Sequence, residues 1–212
     1  MRNLLVILLL LSPVGLRAQW DTATPEPLPM RKYLGPAITG VSLVGMGSLL
    51  AFQPDMHDLA VTLRDEVLYH DLPKIHADDY VQYLPALTPV VLNLCGVKGR
   101  HGFWKLAQLE GASYLLGGGW LNAAKYGFAL RRPDNSTHNS FPSGHTFFAF
   151  TGAEILRREY GKEYPWLAVA GYAVATLVGI MRIYNNRHWA GDVLAGAGLG
   201  ILSVSLVYWT LD

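Results

Sequence analysis

Cysteine and charge are what this chain uses least. Cys95 is the only cysteine, so no disulfide can form within the chain, and its apolar surroundings predict a small buried hydrophobe. Charged residues are 16% of the 212 and the net charge is +1, which leaves no basic surface of the kind that binds nucleic acid. Internal repeats and low-complexity linkers are absent, and the length fits one domain. What remains is apolar: hydrophobic residues make up 51% of the chain.

That apolar material is arranged in runs. Stretches at 34–52, 81–97, 106–124, 144–160, 165–181 and 193–211 approach the length of a bilayer span, and the first, second, fifth and sixth carry no charge. The third and fourth carry Glu110 and Glu154 and should turn toward a bundle interior. Gly117 to Gly119, Gly196, Gly198 and Gly200 would let helices approach closely. The expected fold is all-α, a polytopic membrane helical bundle of about five to six apolar helices. The mean hydropathy of +0.22 is modest for such a protein, so a soluble helical bundle is the alternative.

The first residues, MRNLLVILLLLSPVGLRAQW, combine a basic start, a short apolar core and a small residue at Ala18. They predict a signal peptide over 1–18, with an uncleaved anchor as the alternative, and a single domain over 19–212. Lys98, Arg100 and Lys105 lie between the second and third stretches, and Arg157, Arg158 and Lys162 lie around the junction of the fourth and fifth. Positive loops favour the cytoplasm. A cleaved signal followed by six crossings would reverse that orientation, so 34–52 is expected to pack on the bundle or dip into the membrane. Within 53–80, Met56, Leu59, Ala60, Leu63 and Val67 follow helical spacing among charged residues, an amphipathic stripe for the membrane interface or for the protein surface. His57, His70 and His76 share that segment without metal-ligand spacing and read as solvated loop residues; His101 and His138 read as ordinary polar residues.

Three short blocks carry chemistry. The first is Lys125-x6-Arg132-Pro133, the second Pro142-Ser143-Gly144-His145, the third Arg182-x5-His188-x3-Asp192. Phosphoryl transfer needs cations around the equatorial oxygens and a nucleophile held in line. Lys125, Arg132 and Arg182 supply charge, and the arginines add a planar fork of donors. Pro133 disfavours helix at Arg132, so Lys125 should sit on the last turns of a helix with Arg132 just beyond. Pro-Ser-Gly before an apolar run predicts a helix start, whose N–H groups bind anions where Gly144 allows close approach. The Ser143 hydroxyl can also donate. His145 in the first turn could protonate a leaving oxygen. Asp192, four residues after His188, would share its helical face and orient the imidazole for attack, giving a phosphohistidine intermediate without a metal.

In this order the blocks resemble the three-part signature of the type 2 phosphatidic acid phosphatase superfamily, which also holds bacterial class A acid phosphatases, glucose-6-phosphatase and vanadium haloperoxidases. The resemblance runs from Lys125 to Asp192. It implies that Lys125, Arg132, Ser143, Gly144 and Arg182 bind phosphate, that His188 attacks, that Asp192 orients it and that His145 is the general acid. It implies no metal and no cofactor. Met181 stands where the family usually has serine before the arginine. The implied activity is hydrolysis of a lipid phosphomonoester or diphosphate, with undecaprenyl diphosphate, phosphatidylglycerol phosphate, phosphatidic acid and lipid A as candidates. The implied location is a bacterial inner membrane with a periplasm-facing site, in contact with membrane and lipid substrate but not nucleic acid. A soluble periplasmic acid phosphatase of broad specificity and a catalytically inactive lipid-binding relative are the alternatives.

Overall fold

The computed structural model describes residues 31–68 and 73–212; the signal expectation for 1–18 and His70 lie outside them. The described residues form eight helices and no strand: α1 Arg31–Phe52, α2 Pro54–Leu68, α3 Asp78–Val81, α4 Leu84–Leu94, α5 Phe103–Phe128, α6 Gly144–Tyr160, α7 Pro165–Tyr184 and α8 Ala190–Leu211. Three helices, Lys32–Phe52 within α1, then α7 and α8, are long and apolar enough to cross a membrane.

One expected span does not form. Within 81–97 the helix α4 keeps only 11 residues, with Pro85 in its first turn, Pro89 inside it and Gly96 at φ 79° just past its end. At 1.5 Å per residue it reaches roughly 16 Å, about half the hydrocarbon thickness. Cys95, at the C-cap of α4, is exposed rather than buried.

The centre of the bundle is α6, which packs against α4, α7 and α8 and buries Phe147, Ala149, Ala153, Ile155 and Leu156. Its charge does face inward, as a carboxylate in an apolar stretch must. Glu154 is fully buried and accepts from Arg157 at 2.6 Å, Arg158 at 2.7 Å and the Tyr172 hydroxyl at 2.6 Å.

Small residues set the helix spacing. The antiparallel pair α1 and α8 meet where Gly47 faces Gly191 and Ala195 and where Gly40 faces Gly198; a Cβ on Gly47 would lie 2.5 Å from the Ala195 nitrogen. Gly196 lets α8 approach α6 so closely that a Cβ there would lie 2.5 Å from the Ser143 carbonyl oxygen. Gly118 and Gly119, expected to serve likewise, have no neighbour within 4 Å of such a Cβ; Gly117 alone of that run meets a side chain, Phe147.

The amphipathic stripe in 53–80 is α2. Ala60 is buried, but Met56, Leu59 and Leu63 stay 37 to 45% exposed, so much of the stripe is left open. Because successive long helices are antiparallel, α5 and α7 end where α6 and α8 begin. That end of the bundle collects all three sequence blocks.

Candidate active site

The first block straddles the end of α5. Lys125 lies in its last turn, and Ala129 closes the helix in the left-handed region at φ 48°. Arg132 follows in the loop, as Pro133 requires. The loop to α6 then folds back and ties the two cations together through Asn139. Its carbonyl oxygen accepts from Lys125 Nζ at 2.7 Å, and its side-chain oxygen accepts from Arg132 Nε at 3.0 Å.

The second block starts α6 as the sequence predicts, with Ser143 as N-cap. Ser143 is fully buried, and its Oγ accepts from the Thr146 backbone N–H at 3.4 Å and from the Thr146 hydroxyl at 2.9 Å. Its oxygen is therefore committed to the helix start. Gly144 leaves the Lys125 side chain close by, 4.0 Å from where its Cβ would stand.

The third block differs from expectation in one respect. His188 and Asp192 do not share a helical face, because α8 begins at Ala190 and His188 precedes it. Asp192 is instead the third residue of α8 and turns back over the helix start. Its Oδ2 accepts from the Trp189 backbone N–H at 2.9 Å, from Ser140 Oγ at 2.5 Å and from His188 Nδ1 at 3.3 Å. An ionised carboxylate can only accept, so Nδ1 carries the proton and Nε2 keeps its lone pair. The loop that presents His188 is wound on Arg182, whose carbonyl accepts from the backbone N–H of both Arg187 and His188.

Lys125, Arg132, Arg182 and Asp192 are close enough for their charges to act on one another, and Lys125 and Arg182 act on His188. His188 and Asp192 are 1% and 0% exposed. Burial pushes the His188 imidazole down to about 4, outweighing its bond to Asp192, and the two cations push the same way. The result is a buried, oriented, neutral imidazole amid fixed cations, the electrostatic arrangement suited to attack on a phosphorus whose oxygens carry negative charge. Buried Arg182 Nε and Asp192 Oδ1 make no hydrogen bond to a described residue.

The sequence did not disclose the acids that complete this end. Asp78 and Asp79, in α3, meet Arg182 Nη1 at 2.5 and 3.6 Å. Asp79 Oδ1 also lies 2.8 Å from His145 Nε2. Asn185 pins the segment: it accepts from the Ile75 N–H at 3.0 Å and donates to the Ile75 carbonyl at 2.7 Å and to Asp78 at 3.0 Å. Asp78, Asp79 and His145 each offer a ligand atom within 4.8 Å of the others, so a carboxylate and histidine cluster accompanies the cations. The Arg182 guanidinium already neutralises part of it. Asp78, Asp79, Asn139, Ser140 and Asn185 lie outside any spaced motif, and only the two adjacent acids next to a helix-compatible run hinted at a role.

The remaining histidines separate. His76 is exposed and 3.8 Å from Asp79, and His138 is exposed. His57 is not a loop residue: it lies in α2, half-buried, edge-on to Trp189 at 4.9 Å between ring centroids. With Ala51, Leu130, Arg131, Arg132, Asn135 and Trp189 it lines a cleft of about 280 Å³. Arg187 pairs with Asp134 at 3.0 Å. His101 is far from an ordinary polar residue. Buried at the opposite end of the bundle, it meets Glu159 through Nδ1 and Asp212 through Nε2, both at 2.9 Å.

A family model of the PAP2 superfamily matches residues 110–212, the part of the chain that contains all three blocks. The chain belongs to this superfamily. A lipid A 1-phosphatase of Porphyromonas gingivalis is 46% identical over 136 residues, which are 64% of this chain and 31% of that protein. The chain thus spans about a third of that relative's length. Among solved structures, Aquifex aeolicus LpxE aligns with a TM-score of 0.56 at 23% identity, covering 69% of this chain and 93% of that one. The transmembrane PAP2-type phosphatidylglycerolphosphate phosphatase of Bacillus subtilis aligns with a TM-score of 0.58 at 22% identity, covering 81% and 93%. At these identities the likeness is one of fold. With its three candidate spans, this superfamily member is a membrane protein.

Proposed function

We propose that this chain is a lipid phosphatase that works without a metal and passes the phosphoryl group through His188. The observation that carries the reading is the buried His188, protonated on Nδ1 by its bond to Asp192 and set among Lys125, Arg132 and Arg182. His188 Nε2 attacks phosphorus, the bond to the leaving oxygen breaks, and His145 supplies the proton. Water then attacks the phosphohistidine and returns the proton to His145. Lys125, Arg132, Arg182 and the Gly144 backbone N–H hold the equatorial oxygens, where charge stabilisation does most in phosphoryl transfer; the Ser143 N–H is already given to the Asp192 carbonyl at 2.9 Å. Three cations make a divalent ion unnecessary for this step.

The substrate would be a lipid phosphomonoester or diphosphate. The relative named lipid A 1-phosphatase puts lipid A first among undecaprenyl diphosphate, phosphatidylglycerol phosphate and phosphatidic acid. The cleft beside Arg132 offers Arg131, Asn135 and His57 to the group that carries the phosphate. Among the alternatives, the three candidate spans weigh against a soluble acid phosphatase, and the intact set of cations and histidines weighs against an inactive relative.

The proposed membrane bundle is α1, α5, α6, α7 and α8, with the segment from α3 through α4 returning the chain along α6 between α1 and α5, and with the site at the periplasmic face of a bacterial inner membrane. Since α1 runs toward the site end, an outward site puts Arg31 on the cytoplasmic side. That arrangement goes with an N-terminus that stays on the cytoplasmic side rather than one exported by a cleaved signal. Phosphate release by the detergent-purified protein across a panel of those four lipids tests the reading. Activity should survive EDTA and fall with vanadate, which adopts the five-coordinate shape of the transition state. Loss in chelator restored by magnesium would overturn the metal-free mechanism.

A further inference from the structure

The carboxylate of Asp79 is fixed beside His145 by more than chance proximity. Its segment is clamped to the end of α7 by three Asn185 hydrogen bonds to Ile75 and Asp78, and by the Asp78–Arg182 ion pair. The Asp79 carbonyl oxygen accepts from the Gln82 side chain at 2.9 Å, which steadies the short turn. From that frame Asp79 reaches His145 Nε2 at 2.8 Å, while the His145 backbone is held separately at the start of α6. The pairing repeats, on the second histidine, what Asp192 does for His188.

We propose that Asp79 is a positioning residue for His145. This rests on the reading of His145 as the general acid. The carboxylate accepts the Nε2–H, fixes the ring and favours the imidazolium, which leaves Nδ1–H to be given up. As the bond between His188 Nε2 and phosphorus forms and the bond from phosphorus to the leaving oxygen breaks, the Nδ1 proton moves to that oxygen. Burial and the Arg182 charge both work against a second cation here and prevail over the two aspartates, so Asp79 offsets them only in part and its main contribution is to hold the ring in place. The groups facing His145 are Asp78 and Asp79 from α3 and Arg182 from α7. Asp78 is engaged by Arg182 and Asn185, so Asp79 is the carboxylate left to do it. The His145 hydrogen bond in turn holds the Asp79 carboxyl below its usual range.

The test compares the full-length wild type, Asp79→Asn, His145→Ala and the double variant in detergent. Each is assayed on two substrates: a short-chain phosphatidic acid, whose leaving alkoxide needs a proton, and p-nitrophenyl phosphate, whose phenolate does not. Asp79→Asn should lower kcat on the alkyl substrate by about 10- to 100-fold, within what a general acid supplies, and the loss on the aryl substrate should be at least several-fold smaller. The double variant should be no slower than His145→Ala alone, and Asp79→Glu should recover part of the activity. Equal losses on both substrates, additive losses in the double variant, or a lower KM with unchanged kcat would overturn the proposal. The last result would mark Asp79 as a carboxylate competing with substrate phosphate. If His145→Ala itself slows both substrates equally, then the general-acid reading of His145 fails, whatever Asp79 does.

Discussion

Two histidines at opposite ends of this bundle are both buried and both bonded to carboxylate, yet they are held in opposite charge states. His188 bonds one acid, Asp192, and sits among Lys125 and Arg182. Burial takes it down to about 4. At His101 burial works in the same direction, but hydrogen bonds to Asp212 and Glu159 overcome it and raise the ring to about 9. The difference is charge balance. Around His101 the arginines meet acids directly: Arg100 donates to Asp212 at 3.0 Å, and Arg158 donates to Glu154 at 2.7 Å while lying over the Tyr208 ring. At the other end Lys125 and Arg182 outnumber the single acid bonded to the imidazole. Among the described residues both ends keep a buried polar atom without a partner, Arg158 Nη1 at the first and Arg182 Nε and Asp192 Oδ1 at the second. A charge-balanced network holds helices together; one with excess positive charge is ready for an anion.

The largest break in this contrast should come from His188→Ala. Removing the proposed nucleophile should lower phosphate release by about 10⁴-fold or more, with His145→Ala losing about 10²–10⁴-fold, and both variants should keep the fold in detergent. Stopped assays and size-exclusion profiles on the same preparations check this. The converse variant is Glu159→Gln. It strips a partner from a buried ion pair, which costs about 3–5 kcal/mol. It should lower the unfolding midpoint markedly while the folded fraction keeps most of its turnover.

The smaller effect is in pH, and its sign differs between the ends. His101 has a raised folded value, so its contribution to stability is complete below the unfolded value near 6.5 and is lost as pH rises through about 9. His188 has a lowered folded value: the unfolded chain takes up a proton first, and stability declines as pH falls from about 6.5 toward about 4. Thermal unfolding against pH should therefore lose its alkaline decline in His101→Ala, and part of its acid decline in His188→Ala. The nucleophile should stay neutral in the wild type until about pH 4, which places the acid limb of activity there rather than near 6.5.

The site end was more legible than the paired end. The local form around Lys125, Arg132, His145, Arg182, His188 and Asp192 could be read from spacing because each block is short: a helix end before a proline, a cap before an apolar run, a loop entering a helix. The last differs from what its spacing predicts, since Asp192 reaches His188 by folding over the start of α8 rather than along a helical face. Asp78 and Asp79 were not visible because their partners lie 104 and 66 residues away. Only the tertiary fold creates those contacts. At the other end the sequence suggested topology signals, whereas Arg100, Arg157 and Arg158 are engaged by Asp212 and Glu154, and His101 is the hub of that pairing. The short α4 could have been foreseen from Pro85 and Pro89, but apolar composition alone reads as a span.

The central claim is that neutral, buried His188 carries the phosphoryl group. The most direct measurement is rapid acid-free quenching of the enzyme with ³²P-labelled lipid phosphate, followed by peptide mapping. The account predicts a transient, acid-labile and alkali-stable label on the peptide that contains His188, formed faster than steady-state turnover and absent in His188→Ala. Turnover without any enzyme-bound label, accompanied by inversion at phosphorus, would mean that water attacks directly and would contradict it.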